Sequence, residues 1–221
     1  MNFEELILYT SDLNSTENFY RNTLELELIN KSSSSISFKI GLTKLTFKYS
    51  NLNENAYNHF AINIPSNQIN NALKWISQRC SPILNSDKEY ITSFDNWKAK
   101  SIYFYDNNEN ILELIQRDDL NNPSNSDFDS NSFLTINEVG IATENPLLIY
   151  NQISSRINFP QFSKGPFRDD FIAQGFEDCL FVISSDKRNW YPTNKNARKN
   201  SIIVKIRINN SIETIKFNIK N

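Results

Sequence analysis

Three short runs in this chain are alike: Glu5-Leu-Ile-Leu-Tyr-Thr, His59-Phe-Ala-Ile-Asn-Ile and Glu138-Val-Gly-Ile-Ala-Thr. Each opens on a residue able to hold a metal ion, alternates into an apolar strand, and is followed by an amphipathic helical pattern. A repeated unit of this size cannot bury its apolar face alone, so its copies must pack against one another. The fold is therefore restricted to like modules set side by side, with a ligand-type side chain at the same place in each. His59 is the only histidine in the 221 residues.

The first module reads as a strand at about 4–10, a helix at about 14–23 and strands near 25–30, 35–40 and 43–49. Asn14 or Ser15 is placed to cap that helix, and Leu13, Phe19, Tyr20 and Leu24 form its apolar face. Gly41 marks a turn. In the second module the strand is His59–Ile64, and Pro65-Ser66 starts a helix carrying Ile69, Leu73, Trp75 and Ile76. After a looser stretch over 81–97 come a strand rich in aromatic and β-branched residues, 98–105, a turn cluster at 106–110, and a last strand at 111–116. Residues 118–132 are polar and turn-rich and read as a linker. The third module starts with a strand at 136–143 and a helix at about 146–157, followed by strands at 170–175, 179–184, 201–208 and 212–218. With a short strand expected in the 81–97 stretch and the third copy diverged, the modules keep the order βαβββ, which predicts an α+β fold.

Composition narrows the function. Aromatic residues make up 13% and the net charge is −2, so no basic face advertises a nucleic-acid binder. Apolar runs stay short of the roughly 18 residues that span a bilayer, and the N-terminus lacks the pattern of a secretory signal. Cys80 and Cys179 are far apart and outside any CxxC motif, which leads us to expect reduced thiols in a cytoplasmic protein.

Strand alternation sorts the side chains by face. Phe60, Ile62 and Ile64 share one face, and His59, Ala61 and Asn63 the other. Leu112 and Leu114 oppose Ile111, Glu113 and Ile115; Leu6 and Leu8 oppose Glu5, Ile7 and Tyr9. The apolar faces should meet the helices, leaving His59, Glu113 and Glu5 on the far side. A carboxylate between Ile111 and Ile115 needs a hydrogen bond, a cation or a metal, because burying it unpaired is costly.

Two longer segments carry a family resemblance. Leu8-Tyr9-Thr10-Ser11-Asp12-Leu13 followed by Phe19-Tyr20-Arg21-Asn22-Thr23-Leu24 resembles the opening of vicinal oxygen chelate proteins. That superfamily includes glyoxalase I, extradiol dioxygenases, fosfomycin-resistance enzymes and bleomycin-binding proteins. The run from Tyr103 to Leu114 resembles the family's "Phe-x-Asp-Pro-Asp-Gly-Asn-x-x-Glu-Leu" ending, with Asn107 and Glu109 where Pro and Gly are usual. The resemblance implies that residues 1–117 hold two paired modules (1–50 and 57–117) whose mixed sheet curls into a cup around a divalent metal. Residues 118–132 would then be the linker, and 133–221 a diverged third module.

Carried over residue by residue, the family's ligand positions fall on Glu5, His59 and Glu113, with Glu5 standing where histidine is usual and Thr46 at the remaining position. With one histidine, the usual His-His-Glu set cannot form within one chain. A Glu/His/Glu set still suits Mn²⁺, Fe²⁺, Zn²⁺ or Ni²⁺. The resemblance thus implies a metal-dependent enzyme acting on a small substrate with two adjacent oxygens, by dioxygenation, isomerisation or lysis, or thiol transfer. His59 and Glu113 would be ligands, and Glu5 a ligand or the general base beside Glu113. Tyr57, Phe94, Trp97 and Tyr103 are candidates to line the cup. Arg188 and Trp190, in a Pro-bearing loop, are candidates to cover it or clamp an anionic or aromatic substrate. The alternative is a metal-free module that binds or sequesters a small molecule in the same cup. The chain would be a monomer, or a homodimer in which the odd module pairs with its counterpart.

Overall fold

Strand β1 (Asn2–Thr10) leads into helix α1 (Leu13–Glu17), which widens to a π turn over Asn18–Thr23, and then into β2 (Leu28–Lys31), β3 (Ser35–Ile40) and β4 (Thr43–Tyr49). The second module is β5 (His59–Ile64), α2 (Ile69–Ser77), β6 (Thr92–Phe94), β7 (Ala99–Tyr105) and β8 (Ile111–Arg117). The third is β9 (Thr135–Thr143), α3 (Pro146–Ser154), β10 (Phe167–Arg168), β11 (Phe171–Phe176) and β12 (Cys179–Ser185), after which come β13 (Ile202–Ile208) and β14 (Ser211–Phe217). This computed structural model describes residues 1–51 and 57–218; the last three residues of the expected third module lie outside them. The fold is α+β, as the repeat predicts, with mixed, curled sheets, as the resemblance implies.

The pairing of the modules differs from the expectation. Modules one and two do not share a sheet. Strand β5 lies antiparallel to β9 in an eight-stranded sheet of order β10-β11-β12-β9-β5-β8-β7-β6, and β1 lies antiparallel to β13 in a six-stranded sheet of order β14-β13-β1-β4-β3-β2. Charge accounts for the choice. Glu4 and Glu5 on β1 meet bases on β13: Arg207 Nε is 2.8 Å from Glu4, and Lys205 Nζ is 2.7 Å from Glu5. Strand β5 carries no lysine or arginine, so pairing there would offer Glu5 no cation.

Residues 118–132 act as a strap rather than a free spacer. Phe128 packs edge-on against Trp75 of α2, and the Gln68 side-chain amide donates to the carbonyls of Ser124 and Ser126. The strap delivers β9 to the edge of β5. At the same end of β9, the β3–β4 turn docks on Leu134. Gly41 sits there at φ +52°, where a Cβ would lie 1.9 Å from the Leu134 carbonyl oxygen. No other residue fits that contact.

One apolar cluster joins the two sheets and the helices, with Leu6, Leu8, Phe38 and Phe47 from one sheet and Phe60, Ile62, Leu112 and Leu114 from the other. Each such side chain contributes about 1.5–3 kcal/mol on burial. Helix α1 is capped by Asp12 rather than Asn14 or Ser15: its carboxylate accepts from Ser15 N–H at 2.9 Å. Helix α2 starts at Ile69, after a turn at Ser66 and Asn67. With the apolar faces turned inward, the opposite face of the eight-stranded sheet is left to His59 and Glu113.

Candidate metal centre and its cavity

Three neighbouring strands bring three donors together. β5 and β8 are parallel with Ala61 opposite Glu113, and β5 and β9 are antiparallel with Ala61 opposite Glu138. His59, Glu113 and Glu138 therefore converge, each offering a ligand atom within 4.8 Å of the others. All three are buried, at 6%, 3% and 4% exposure.

The imidazole is fixed in one tautomer. His59 Nδ1 lies 3.1 Å from the Ile111 carbonyl oxygen, which can only accept, so Nδ1 carries the proton. Nε2 keeps its lone pair and sits 3.5 Å from Glu113 Oε2. Burial pushes the His59 pKa down to about 4, so the ring is neutral near pH 7. Burial, and then the charge of Glu138, push Glu113 up to about 8, against the nearby hydroxyls of Ser101 and Tyr103 and the charge of Arg117. Glu138 is also raised by burial, with Arg117 opposing.

Arg117, the last residue of β8, is fully buried and pairs with Glu138. Its other arm reaches Glu177 Oε2 at 2.9 Å, and Glu177 in turn pairs with Lys164. The guanidinium lies 5.6 Å from the Trp97 ring centroid. Among the described residues one arginine is shared between Glu138 and Glu177, and Glu113 has no ion pair with a lysine or arginine. A neutral imidazole with a free lone pair and two carboxylates fit a divalent ion of the hard or borderline kind.

Above these donors lies a cavity of about 240 Å³. Its walls are largely aromatic: Phe94, Trp97, Tyr103, Phe171, Trp190 and Tyr191, with Ile115, Val182 and Pro166. Arg168, Arg188 and Asn189 also line it. The loop after β12 lays the Trp190 ring 5.2 Å from the His59 ring. Gly140 makes room for both, since a Cβ there would stand 2.8 Å from Trp190 Cη2 and 3.0 Å from the His59 carbonyl oxygen.

Of the residues singled out in the sequence, His59, Glu113, Phe94, Trp97, Tyr103, Arg188 and Trp190 all border this cavity. Tyr57 does not: it is buried nearby, with Lys195 Nζ 4.9 Å from its ring centroid and its carbonyl accepting from Asn200 at 2.7 Å. Glu5 is in the other sheet, with Lys44 Nζ, Lys205 Nζ and Thr46 Oγ1 each at 2.7 Å. Burial alone would raise its pKa, but these three partners outweigh it and hold the carboxyl below its ordinary value. Glu5 is thus no part of the donor set, because the pairing of β1 with β13 takes it away from His59. Glu138 stands in its place.

The signal for Glu138 was in the repeat, as the same position in the third copy. Arg117 was legible too, since it shares the alternate face of Glu113. The register also identifies a fourth position. Glu113 is opposite the residue two beyond His59; opposite the residue two beyond Glu138 is Val182, a side chain that cannot ligate.

No family model matches the chain, and no curated protein does. Solved structures match its shape. A proposed dioxygenase from Bacillus subtilis superimposes with a TM-score of 0.60 at 12% identity, over 83% of this chain and 63% of that one. A V278E variant of glyoxalase I from Zea mays gives a TM-score of 0.56 at 13% identity, over 87% of this chain and 68% of that one. The chain thus spans less than two thirds of the Bacillus protein, and at such identities the likeness is one of fold.

Proposed function

Because the chain has the fold of the vicinal oxygen chelate superfamily, we propose that His59, Glu113 and Glu138 hold one divalent cation and that the cavity above takes a small molecule with two neighbouring oxygens. The observation that carries this reading is the convergence of three buried donors, from three adjacent strands, at the floor of an aromatic-walled cavity. A cation bound there would supply Lewis acidity to the substrate oxygens.

The chain's own residues do the rest. The Ile111 carbonyl holds the imidazole with its lone pair free. Arg117 orients Glu138. Glu113, whose carboxyl is held above its ordinary value by burial and the charge of Glu138, would hold the cation together with His59 and Glu138, and is also the group placed to accept a substrate proton. Trp97, Tyr103 and Trp190 exclude water and so strengthen each electrostatic contact on the floor. Dioxygenation, isomerisation or lysis, and thiol transfer are the chemistries open to such a centre.

Metal analysis of the purified chain, before and after loading with Mn²⁺, Fe²⁺, Zn²⁺ or Ni²⁺, tests the reading. We expect one equivalent in the native chain and none in His59→Ala, Glu113→Gln or Glu138→Gln. Failure to bind under any loading condition overturns it. One observation favours a second reading, a metal-free binding module: Arg117 already places a positive charge on Glu138. In that case the same cavity takes its ligand by stacking and hydrogen bonds alone.

A further inference from the structure

We propose that one part of this cavity is an anion subsite, built to hold the carboxylate of a flat, single-ring organic acid. The inference rests on the cavity being a ligand site, but not on the metal. Two arginines line it, Arg168 and Arg188, and a single carboxylate lies beside both: Asp170 is 3.3 Å from Arg168 Nε and 3.5 Å from Arg188 Nη1. Two cations sharing one anion leave a positive charge on this wall of the cavity.

Among the described residues, two buried donors in the same loop are left without a hydrogen bond, although Asp170 pairs with one of them at 3.5 Å. Arg188 Nη1 makes no hydrogen bond, and neither does the indole Nε1 of Trp190, a residue only 4% exposed. Buried N–H groups without acceptors are rare, because their desolvation is otherwise unrecovered. One ligand oxyanion satisfies both. The guanidinium is held ready for it, 4.7 Å over the Phe171 ring.

The walls set the ligand's shape. Tyr191 meets Phe94 and Tyr103 edge-on, with ring centroids 5.8 and 5.7 Å apart, which leaves aromatic surface for a flat ring. A volume of about 240 Å³ is below the roughly 300–1,000 Å³ typical of drug-sized ligands, so the molecule is small. The arginines and the indole N–H set its direction: the acid end turns to them, and the opposite end points at His59.

Calorimetric titration of the whole chain with benzoate and phenylacetate, and with the neutral benzamide and phenylacetamide, tests this. We expect the acids to bind at least about tenfold tighter than the amides, in chelator-stripped protein as well as in metal-loaded protein. Arg188→Met should weaken the acids about tenfold and leave the amides unchanged. Trp190→Phe, which keeps a ring and removes the N–H, should weaken the acids several-fold. Equal binding of acid and amide, no binding of either, acid binding unaffected by Arg188→Met, or inorganic phosphate bound as tightly as benzoate would each overturn the proposal. Acid binding by a chain that takes up no metal would sink the metal centre and leave this subsite standing; metal uptake without acid binding does the reverse.

Discussion

The two sheets carry the same module, yet they treat the same position differently. In the six-stranded sheet the first-strand acid, Glu5, is flanked by Lys44 and Lys205 and accepts from Thr46, so its charge is matched. In the eight-stranded sheet the corresponding residues are His59 and Glu138, Glu113 stands where the other sheet has Thr46, and one arginine serves two acids. One sheet has its electrostatics closed by its own lysines. The other is left short of positive charge under a cavity. Neutralisation from within removes any use for an outside cation, and its absence creates one; the module is the same, and the difference lies in which neighbouring strand brings the bases.

The largest expected effect comes from removing the internal cation where it is scarce. Arg117→Met keeps the apolar stem and leaves Glu138 and Glu113 buried together. Chelator-treated protein should lose about 3–5 kcal/mol, the usual result of stripping one partner from a buried ion pair. Mn²⁺ should restore much of that loss, because it binds the folded state. Urea unfolding with EDTA and with Mn²⁺ measures both. A loss under about 1 kcal/mol with EDTA would mean the two sheets are electrostatically alike.

Next in size is pH. The His59 pKa falls from 6.5 to about 4, so the unfolded chain binds more protons between those values and stability rises with pH there. Glu113 moves from 4.5 to about 8, so the folded chain binds more protons across that range and stability falls as pH rises. His59 and Glu113 oppose each other up to about 6.5, and above it the opposition from His59 ends. At about 1.4 kcal/mol per pH unit, metal-free protein should lose about 2 kcal/mol between pH 6.5 and 8. Glu138, also raised, works in the same direction. Glu5 is lowered, so its contribution is present above pH 4.5 and lost only as pH falls below that. The two sheets therefore titrate in opposite senses. Melting curves taken with EDTA should fall above neutrality and flatten with excess Mn²⁺; a flat curve without metal contradicts the raised carboxyl.

Much of this was legible in the sequence, for a reason that also explains what was not. Alternation places His59 and Glu113 on one face whatever the partner strand, because side-chain direction is a local property of a strand. Tyr103, opposite Glu113, follows from the same logic, whereas Trp97 and Trp190 lie outside the strands. Pairing is not local. β1 and β9 offer β5 similar apolar edges, and the strap that brings β9 to β5 and the bases Lys205 and Arg207, some 200 residues from Glu4 and Glu5, both favour the pairing seen. The resemblance pairs modules one and two and so puts Glu5 beside His59; the pairing of β1 with β13 and of β5 with β9 puts Glu138 there instead. Tyr57 was misplaced for a related reason: it lies just before β5, where alternation no longer fixes direction.

A third prediction isolates the matched sheet. Glu5→Gln keeps shape and the Thr46 contact but removes the charge. Lys44 and Lys205 are 42% and 38% exposed and can rehydrate, so the loss should be about 1–2 kcal/mol, with metal content unchanged. Loss of bound metal in this variant would return Glu5 to the site.

The smallest effects belong to the lysines taken singly. Lys44→Ala leaves Glu5 paired with Lys205, and Lys205→Ala leaves it paired with Lys44, so each should cost less than about 1 kcal/mol. The double variant strands a buried carboxylate with only Thr46 to donate to it. Its loss should exceed the sum of the singles by about 1 kcal/mol or more, since the second deletion removes the last cation. The double variant should also gain what the native sheet lacks: a raised carboxyl, hence a stability that falls as pH climbs above about 4.5, as in the eight-stranded sheet. Urea titrations of the four proteins at two pH values give the coupling directly. Simple additivity would mean that one lysine alone neutralises Glu5, and that the contrast between the sheets rests on a single ion pair rather than on a shared pair of bases.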